Sequence, residues 1–395
     1  MDFVEVPPLR FPEFTEPWET AKLGAIAEFS KGTGISKEQR SETGLPCILY
    51  GELYTTYTNE VIEEVVSKTD LDPTDLVKSQ KNDVIIPSSG ETAEDIATAR
   101  CVTSDNVLLG GDLNIIRLVE PNDGRFMSYQ LNGIRKYDIA KISQGVSVVH
   151  LYGGDLKMLS VTFPQSPEQK KIADCISLLD RRISVQSGLI NKLESLIGGI
   201  TLSITKSDDC ESIRLSEILT ERNEVNTAQY EVYSVSVSQG VVNQVEYLGR
   251  SFAAKDTSNY NVVHYGDIVY TKSPTGDFPY GIVKRSNQAK PVAVSPLYGV
   301  YIPASNDIGC FLHYYFCNAV STKNYLHKLI QKGAKNTINI TNQRFLENSI
   351  KLPNAESLAI VVKLLNQLSV KKQRAEELLA LYRKQKQHLL SQMFI

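Results

Sequence analysis

Cysteine and histidine are sparse in this 395-residue chain: six cysteines, at 47, 101, 175, 210, 310 and 317, form no CxxC pair and follow no regular spacing, and the five histidines are scattered. That distribution argues against a disulfide framework or a zinc site and leaves reduced thiols as the expectation. Long apolar runs are missing too. The N-terminus, MDFVEVPPLRFPEF, has neither a basic nor an apolar leader region, and no segment reaches the length that spans a bilayer, so a cytoplasmic protein without membrane contact is expected. Nor is positive charge in excess, since 42 Lys and Arg against 45 Asp and Glu give a net charge of −3. A broad, sequence-indifferent grip on nucleic acid needs many phosphate-neutralising cations. Any DNA contact must therefore come from local basic patches or from a partner chain.

Reacting groups at workable spacing are lacking as well. KGTGIS at Lys31 has two glycines and lacks the third of a dinucleotide fingerprint, while GDFPYGIVK at Gly276 has P-loop glycine spacing but Ile282 where the phosphate-binding lysine belongs. There is no nucleophile elbow, no metal-ligand helix motif and no Asn/Asp-Pro-Pro-aromatic tetrapeptide. Carboxylates such as Glu91, Glu94 and Asp95 sit in a polar loop, where solvation is their ordinary fate. The expectation is a chain with no catalytic residue, no metal and no cofactor of its own.

What the chain does have is periodicity. In SPEQKKIADCISLLDRRISVQSGLINKLESLIGG, Ser166 is a candidate N-cap, Pro167 a first helical residue and Gln169 a capping-box partner, with Gly198 and Gly199 as the stop. Ile172, Ile176, Leu179, Ile183, Gln186, Ile190, Leu193 and Ile197 alternate spacings of four and three, a heptad seam with one polar interruption. The last forty residues offer a matching stripe, with Leu358, Val361, Leu365, Leu368, Lys372, Ala375, Leu379, Tyr382, Lys386, Leu389 and Met393, after the N-cap candidate Asn354. Either stripe alone fits an ordinary core-facing helix. Two of them, each closing one half of the chain, point to mutual pairing.

A weak internal repeat spans the full length at an offset of roughly 184 to 192 residues. KLGAIAEFS from Lys22 aligns with RLSEILTER from Arg214, NDVIIPSSG from Asn82 with GDIVYTKSP from Gly266, and SVTFPQSPEQ from Ser160 with SIKLPNAES from Ser349. Strand candidates rich in Val, Ile and Tyr run over Pro46 to Tyr50, Asp83 to Pro87 and Asn114 to Val119 in the first half. In the second they run over Glu231 to Val237, Asp267 to Thr271, Gly281 to Lys284 and Tyr298 to Ile302. The fold class is thus mixed α+β: two similar globular domains (residues 1–165 and 205–353) related by a pseudo-two-fold axis and separated by two long helices (166–204 and 354–395) paired as an antiparallel coiled coil. From Pro167 to Ile197 such a helix would measure roughly 45 Å, a spacer suited to two separated half sites on duplex DNA.

Small and basic residues in loops let backbone amides approach phosphates and side chains reach base edges. Four loops qualify: SKGTGISKEQR, PSSGETAEDIATAR, TKSPTGD and QKGAKNTINIT, the last corresponding to SQGVSVV across the repeat. The candidate contacts are Lys31, Thr33, Lys37 and Arg40; Tyr54, which either stacks at such a surface or packs half-buried; Ser88, Ser89, Glu91 and Arg100; Gln144 and Ser147; Lys272, Ser273 and Thr275; and Lys335, Asn336 and Thr337. Lys170, Arg181 and Lys192, with Lys363 and Arg374, form a basic stripe along the helices that suits either solvent or phosphate.

Together these stretches resemble the specificity subunit (HsdS) of Type I restriction-modification enzymes. The resemblance is carried by LRFPEF…WETAKLGAIAEFSKGTG, GLPCILYGELYTTY, NDVIIPSSGET and DLKMLSVTFPQSPEQKKIADCISLLDRRI, and more loosely by GDIVYTKSPTG, VSPLYGVY and ITNQRFLENSIKLP, where Asn354-Ala-Glu-Ser replaces the usual Pro-Glu-Gln. It implies two target-recognition domains that each read half of a bipartite sequence in double-stranded DNA. It also implies helices that dock two methyltransferase subunits (HsdM), with restriction subunits (HsdR) in the full complex. S-adenosylmethionine, ATP and Mg would then reside on those partners. The alternative is a coiled-coil interaction scaffold with no DNA role.

Overall fold

The computed structural model describes residues 6–145, 147–207, 209–250, 253–332 and 338–395. Lys335, Asn336 and Thr337 lie outside the described residues. By contacts the chain divides into unit 1, residues 1–187 with 377–395, and unit 2, residues 188–376. The last helical segment thus belongs with the first domain.

Unit 1 runs β1 (Glu19–Lys22), α1 (Leu23–Ile26), β2 (Ala27–Lys31), β3 (Leu45–Ile48), α2 (Glu52–Thr55), β4 (Val61–Ile62), β5 (Ser67–Thr69), β6 (Asp83–Pro87), β7 (Ser89–Gly90), α3 (Ala93–Ile96), β8 (Arg100–Val102), β9 (Leu108–Leu109), β10 (Leu113–Leu118), α4 (Gly124–Asn132), α5 (Lys136–Ile142), β11 (Val149–His150), α6 (Gly153–Lys157) and β12 (Ser160–Phe163), then enters α7 (Ser166–Lys206). A five-stranded sheet has the order β2-β10-β6-β8-β4, and a smaller one β5-β3-β9. The strand expected over Asp83 to Pro87 forms there and is buried throughout, as a continuous Val-Ile run in a central strand should be. Pairing of β1 with β12 closes the domain just before α7.

Unit 2 repeats the plan with β13 (Glu211–Arg214), α8 (Leu215–Ile218), β14 (Leu219–Glu221), β15 (Tyr233–Ser236), β16 (Gly240–Asn243), α9 (Gln244–Leu248), β17 (Asn261–Val263), β18 (Ile268–Thr271), β19 (Ile282–Arg285), β20 (Val292–Val294), β21 (Gly299–Pro303), α10 (Asn306–Cys317), α11 (Ala319–His327), β22 (Gln331–Lys332), β23 (Ile338–Asn339), α12 (Asn342–Phe345), β24 (Ser349–Leu352) and α13 (Ala355–Gln392). Its sheet order, β14-β21-β18-β19, reproduces β2-β10-β6-β8, and β13 pairs with β24 as β1 does with β12. Details recur too. Asn82 (φ 81°) and Gly266 (φ 92°) turn the chain into the central strand with the positive φ that Asn and Gly tolerate. The next residue in each case, Asp83 or Asp267, is a buried carboxylate bound through both oxygens to Arg117 or Arg222, all four bonds lying between 2.7 and 2.9 Å.

Within unit 1, Ile172, Ala173 and Ile176 of α7 share a core with Met393 and Phe394, and four residues later Asp180 meets Lys386 at 2.6 Å; the two segments are antiparallel. Each fully buried isoleucine contributes about 2 kcal/mol. In unit 2, Glu194 meets Lys372 at 2.7 Å and Ile204 shares a core with Leu358 and Val362, again antiparallel. Leu179, Ile190, Leu193, Leu365, Leu368 and Leu379 are buried as the seam requires, while Ile183 and Tyr382 are half-buried. Near the start of α13 the buried position is Val362, not Val361.

Two expectations about α7 are corrected. Gly198 and Gly199 do not stop it: the helix runs through them to Lys206. Each glycine costs about 1 kcal/mol in a helix, but Thr201 just beyond is fully buried and ties its hydroxyl to the Ile197 carbonyl at 2.8 Å. Nor does Gln169 complete a capping box with Ser166. The carbonyl of Gln165 accepts from the Glu168 and Gln169 amides, and the buried Gln169 side chain instead bonds the Asp123 amide, Asn122 and the Pro164 carbonyl. Asn354 does cap α13, its Oδ1 accepting from Ser357 at 2.9 Å.

Candidate nucleic-acid interface

In unit 1 three predicted loops meet at one end of the five-stranded sheet. Lys31, the exposed last residue of β2, stands opposite Asn114, and Leu113 stands opposite Pro87 at the end of β6. From there Ser88 takes the Asp112 carbonyl through its amide, at 2.7 Å, and gives its own carbonyl to Leu151 at 3.0 Å. β7 pairs with β11, placing His150 beside Ser89 and Val149 beside Gly90. The 143–150 segment closes as a hairpin, Gln144 and His150 exchanging backbone bonds of 2.8 and 2.7 Å. Asn114, fully buried, locks the arrangement by donating to the Leu151 carbonyl at 2.9 Å. Lys31, Ser89, Glu91, Gln144 and Ser147 therefore share one polar, solvent-facing edge, on which only Ser89 is half-buried.

Gly32 makes the close approach beside Lys31 possible. A Cβ there would lie 1.9 Å from the Gly110 carbonyl oxygen, so Gly32→Ala is expected to cost about 1–3 kcal/mol, seen as a lowered denaturant midpoint at unchanged m-value.

Thr33 is turned inward, its hydroxyl accepting from the Val77 amide at 3.0 Å. Lys37 is exposed, whereas Arg40 reaches Glu52 at 3.5 Å on the side of the smaller sheet. Tyr54 is half-buried, and burial raises its hydroxyl pKa, reinforced by Tyr50, Asp95 and Glu91. Ser88 is buried and acts through its backbone. Arg100 is a correction: its guanidinium is buried and donates to the carbonyls of Leu53 and Tyr57 at 3.1 and 2.9 Å. It holds the segment carrying Tyr54 and is not available to DNA.

Unit 2 places its loops at the same end of the same sheet. Thr271 ends the central strand and is buried, Lys272 is half-buried, and Ser273 and Thr275 are exposed in the turn that Gly276 (φ 47°) allows before β19. Burial lowers the Lys272 pKa while Glu221, at the end of β14, opposes that shift. β22 pairs with β23, and in chain order they precede α12 and β24 as β11 precedes α6 and β12 in unit 1.

The sequence reading missed His150 and Tyr152. Both are exposed and stack at 6.2 Å between ring centroids, next to Ser89. The signal was the alternation in VVHLY: Val148, His150 and Tyr152 exposed, Val149 and Leu151 buried. A stacked pair with polar edges at this position can pack on sugars or bases.

Among the described residues no group of three or more His, Cys, Asp and Glu is placed to hold a metal, and no helix is long and apolar enough to cross a membrane.

Residues 15–195 match the family described as Type I restriction modification DNA specificity domain. The fold resembles the S subunit of a Type I restriction-modification system from M. genitalium, at 16% identity over 99% of both chains with a TM-score of 0.65. It also resembles a chain from a structure addressing complex assembly and conformational transition of the Type I R-M system, at 14% identity over 95% of this chain and 97% of that one, with a TM-score of 0.50. No curated protein matches the sequence.

Proposed function

We propose, because residues 15–195 match the Type I restriction modification DNA specificity domain family, that the protein is the sequence-reading subunit of a Type I restriction-modification complex, in which each unit reads one half of a bipartite duplex target. The observation that carries this reading is that four strands of one sheet order recur in both units, with a polar loop leaving the end of the central strand β6 or β18 in each. Exposed serine, threonine, glutamine and lysine side chains on a rigid sheet edge suit base-edge and phosphate contacts.

Apolar residues on the faces of α7 and α13 away from the seam support a second role. Leu178, Val185 and Leu381 are 59%, 72% and 62% exposed in unit 1, as are Ile360 and Leu364 at 66% and 43% in unit 2. Exposed apolar surface of this kind marks interfaces, and we assign it to docking of two methyltransferase subunits. In this reading adenine methylation, with its S-adenosylmethionine, and ATP- and Mg-dependent cleavage by restriction subunits belong to the partner chains. Those partners also supply the phosphate-neutralising charge that a chain of net charge −3 lacks. The site of action is the cytoplasm, where the DNA of such a system lies.

The test is binding of duplex target by the assembled complex across a salt series. Lys31→Glu and Lys272→Glu are each expected to weaken binding about tenfold and to flatten the line of log affinity against log salt by about one unit for each phosphate no longer neutralised. Unchanged slopes for both variants would remove these loops from the interface.

A further inference from the structure

Away from the loop cluster, unit 2 holds a buried cation facing a sulfur. Lys284 in β19 is 5% exposed, and its one hydrogen-bond acceptor among the described residues is Sγ of Cys317, 3.3 Å from Nζ. An ammonium this far from water needs an anion. A second donor converges on the same sulfur. The Arg285 amide donates to Nδ1 of His313 at 3.4 Å, which leaves Nε2 as the N–H that points at Sγ, 3.7 Å away.

Cys317 is the last residue of α10, where the helix carbonyls disfavour negative charge; the pairing with Lys284 therefore has to outweigh the helix end. The basic groups acting on the sulfur are His313 and Lys284. Around them, the buried Tyr314 hydroxyl is raised in pKa and bonded to Asn366 of α13, and Arg285 is tied to Asn287 and Asn306. Burial of the sulfur pushes its pKa up, and its two basic neighbours more than offset this, bringing the thiol down to about 6. Burial pushes Cys47 the other way, up to about 11. Cys317 is nonetheless a surface residue.

We propose that Cys317, Lys284 and His313 form a nucleophilic thiolate site that reacts with hydroperoxides. The thiolate attacks the outer peroxide oxygen, an S–O bond forms as the O–O bond breaks, and the departing hydroxide or alkoxide takes a proton from water, leaving a sulfenic acid. Lys284 then loses its anion. It lies three residues beyond Gly281, where the Lys272 loop enters β19, so oxidation reaches the strand that anchors that loop.

The experiment uses the full chain and iodoacetamide, whose alkylation forms an S–C bond and expels iodide, with labelled peptides read by mass spectrometry between pH 5 and 9. A free thiol of pKa about 8.5 is only about 0.3% ionised at pH 6, whereas Cys317 would be half ionised. Its lower intrinsic nucleophilicity returns about tenfold of that advantage. Cys317 is thus expected to label about tenfold faster than glutathione at pH 6, with a rate midpoint near pH 6 that Lys284→Met moves above 8. If Lys284→Met does not fold, the thiolate ultraviolet absorbance step near pH 6, present in the natural protein and lost in Cys317→Ser, decides the matter. A midpoint at 8 or above, or no such step, overturns the proposal. None of these readouts depends on DNA binding.

Discussion

Lys386→Met is expected to destabilise unit 1 by about 3–5 kcal/mol, a fall in melting temperature of about 10 °C for a unit of this size. Lys386 is 14% exposed and sits between Glu60 at 2.5 Å and Asp180 at 2.6 Å, themselves 11% and 6% exposed. Asp180 also accepts from the buried Tyr129 hydroxyl at 2.7 Å. Removing the cation leaves two carboxylates out of water, offset in part by the nearby Arg100. Burial already raises the Asp180 pKa, with Lys386 opposing, so in the variant it rises further. A carboxyl whose folded pKa is raised binds more protons in the folded state, so stability falls as pH climbs from the ordinary carboxylate range to the folded value. The deficit should therefore be small near pH 4 and full at pH 7. Calorimetry across that range checks both size and sign. Lys372→Met in unit 2 is the contrast: its partners Glu194 and Glu376 are 52% and 49% exposed, and loss of so exposed a pair costs about 1 kcal/mol or less.

Those lysines show what a one-dimensional pattern can carry. The seam from Ile172 to Leu193 was legible because burial on a helix repeats every three or four residues, and the strand Asp83–Pro87 because a central strand is apolar on both faces. Lys372 and Lys386 looked like interruptions of the stripe. They occupy it because acidic partners arrive from other elements, Glu60 from more than 300 residues away in sequence. Arg100 reads as a surface cation for the same reason: its acceptors are the backbone carbonyls of Leu53 and Tyr57, in and just after the short helix α2, and no periodicity announces a carbonyl that a helix end leaves unpaired. At Gly198–Gly199 local propensity favoured a stop, and tertiary burial of Thr201 overrode it. In the loop cluster, Lys31, Ser89 and Gln144 were legible as types suited to phosphate and base contact, but their convergence rests on sheet register, which the residues alone do not give.

Exchange of residues 1–160 for the corresponding segment of another specificity subunit is expected to replace one half of the recognised DNA sequence completely and leave the other intact. The segment carries Lys31, Ser89, Gln144 and the whole five-stranded sheet, and ends where β12 begins. Its contacts with the helices must be kept, notably Phe126 against Phe394 with ring centroids at 5.1 Å and the Tyr129 bond to Asp180. Selection of bound duplexes from a randomised pool by the complex containing the exchanged chain measures this most directly. The account predicts one new half site beside one unchanged half site; selection of two new halves, or of the original sequence in full, would contradict it.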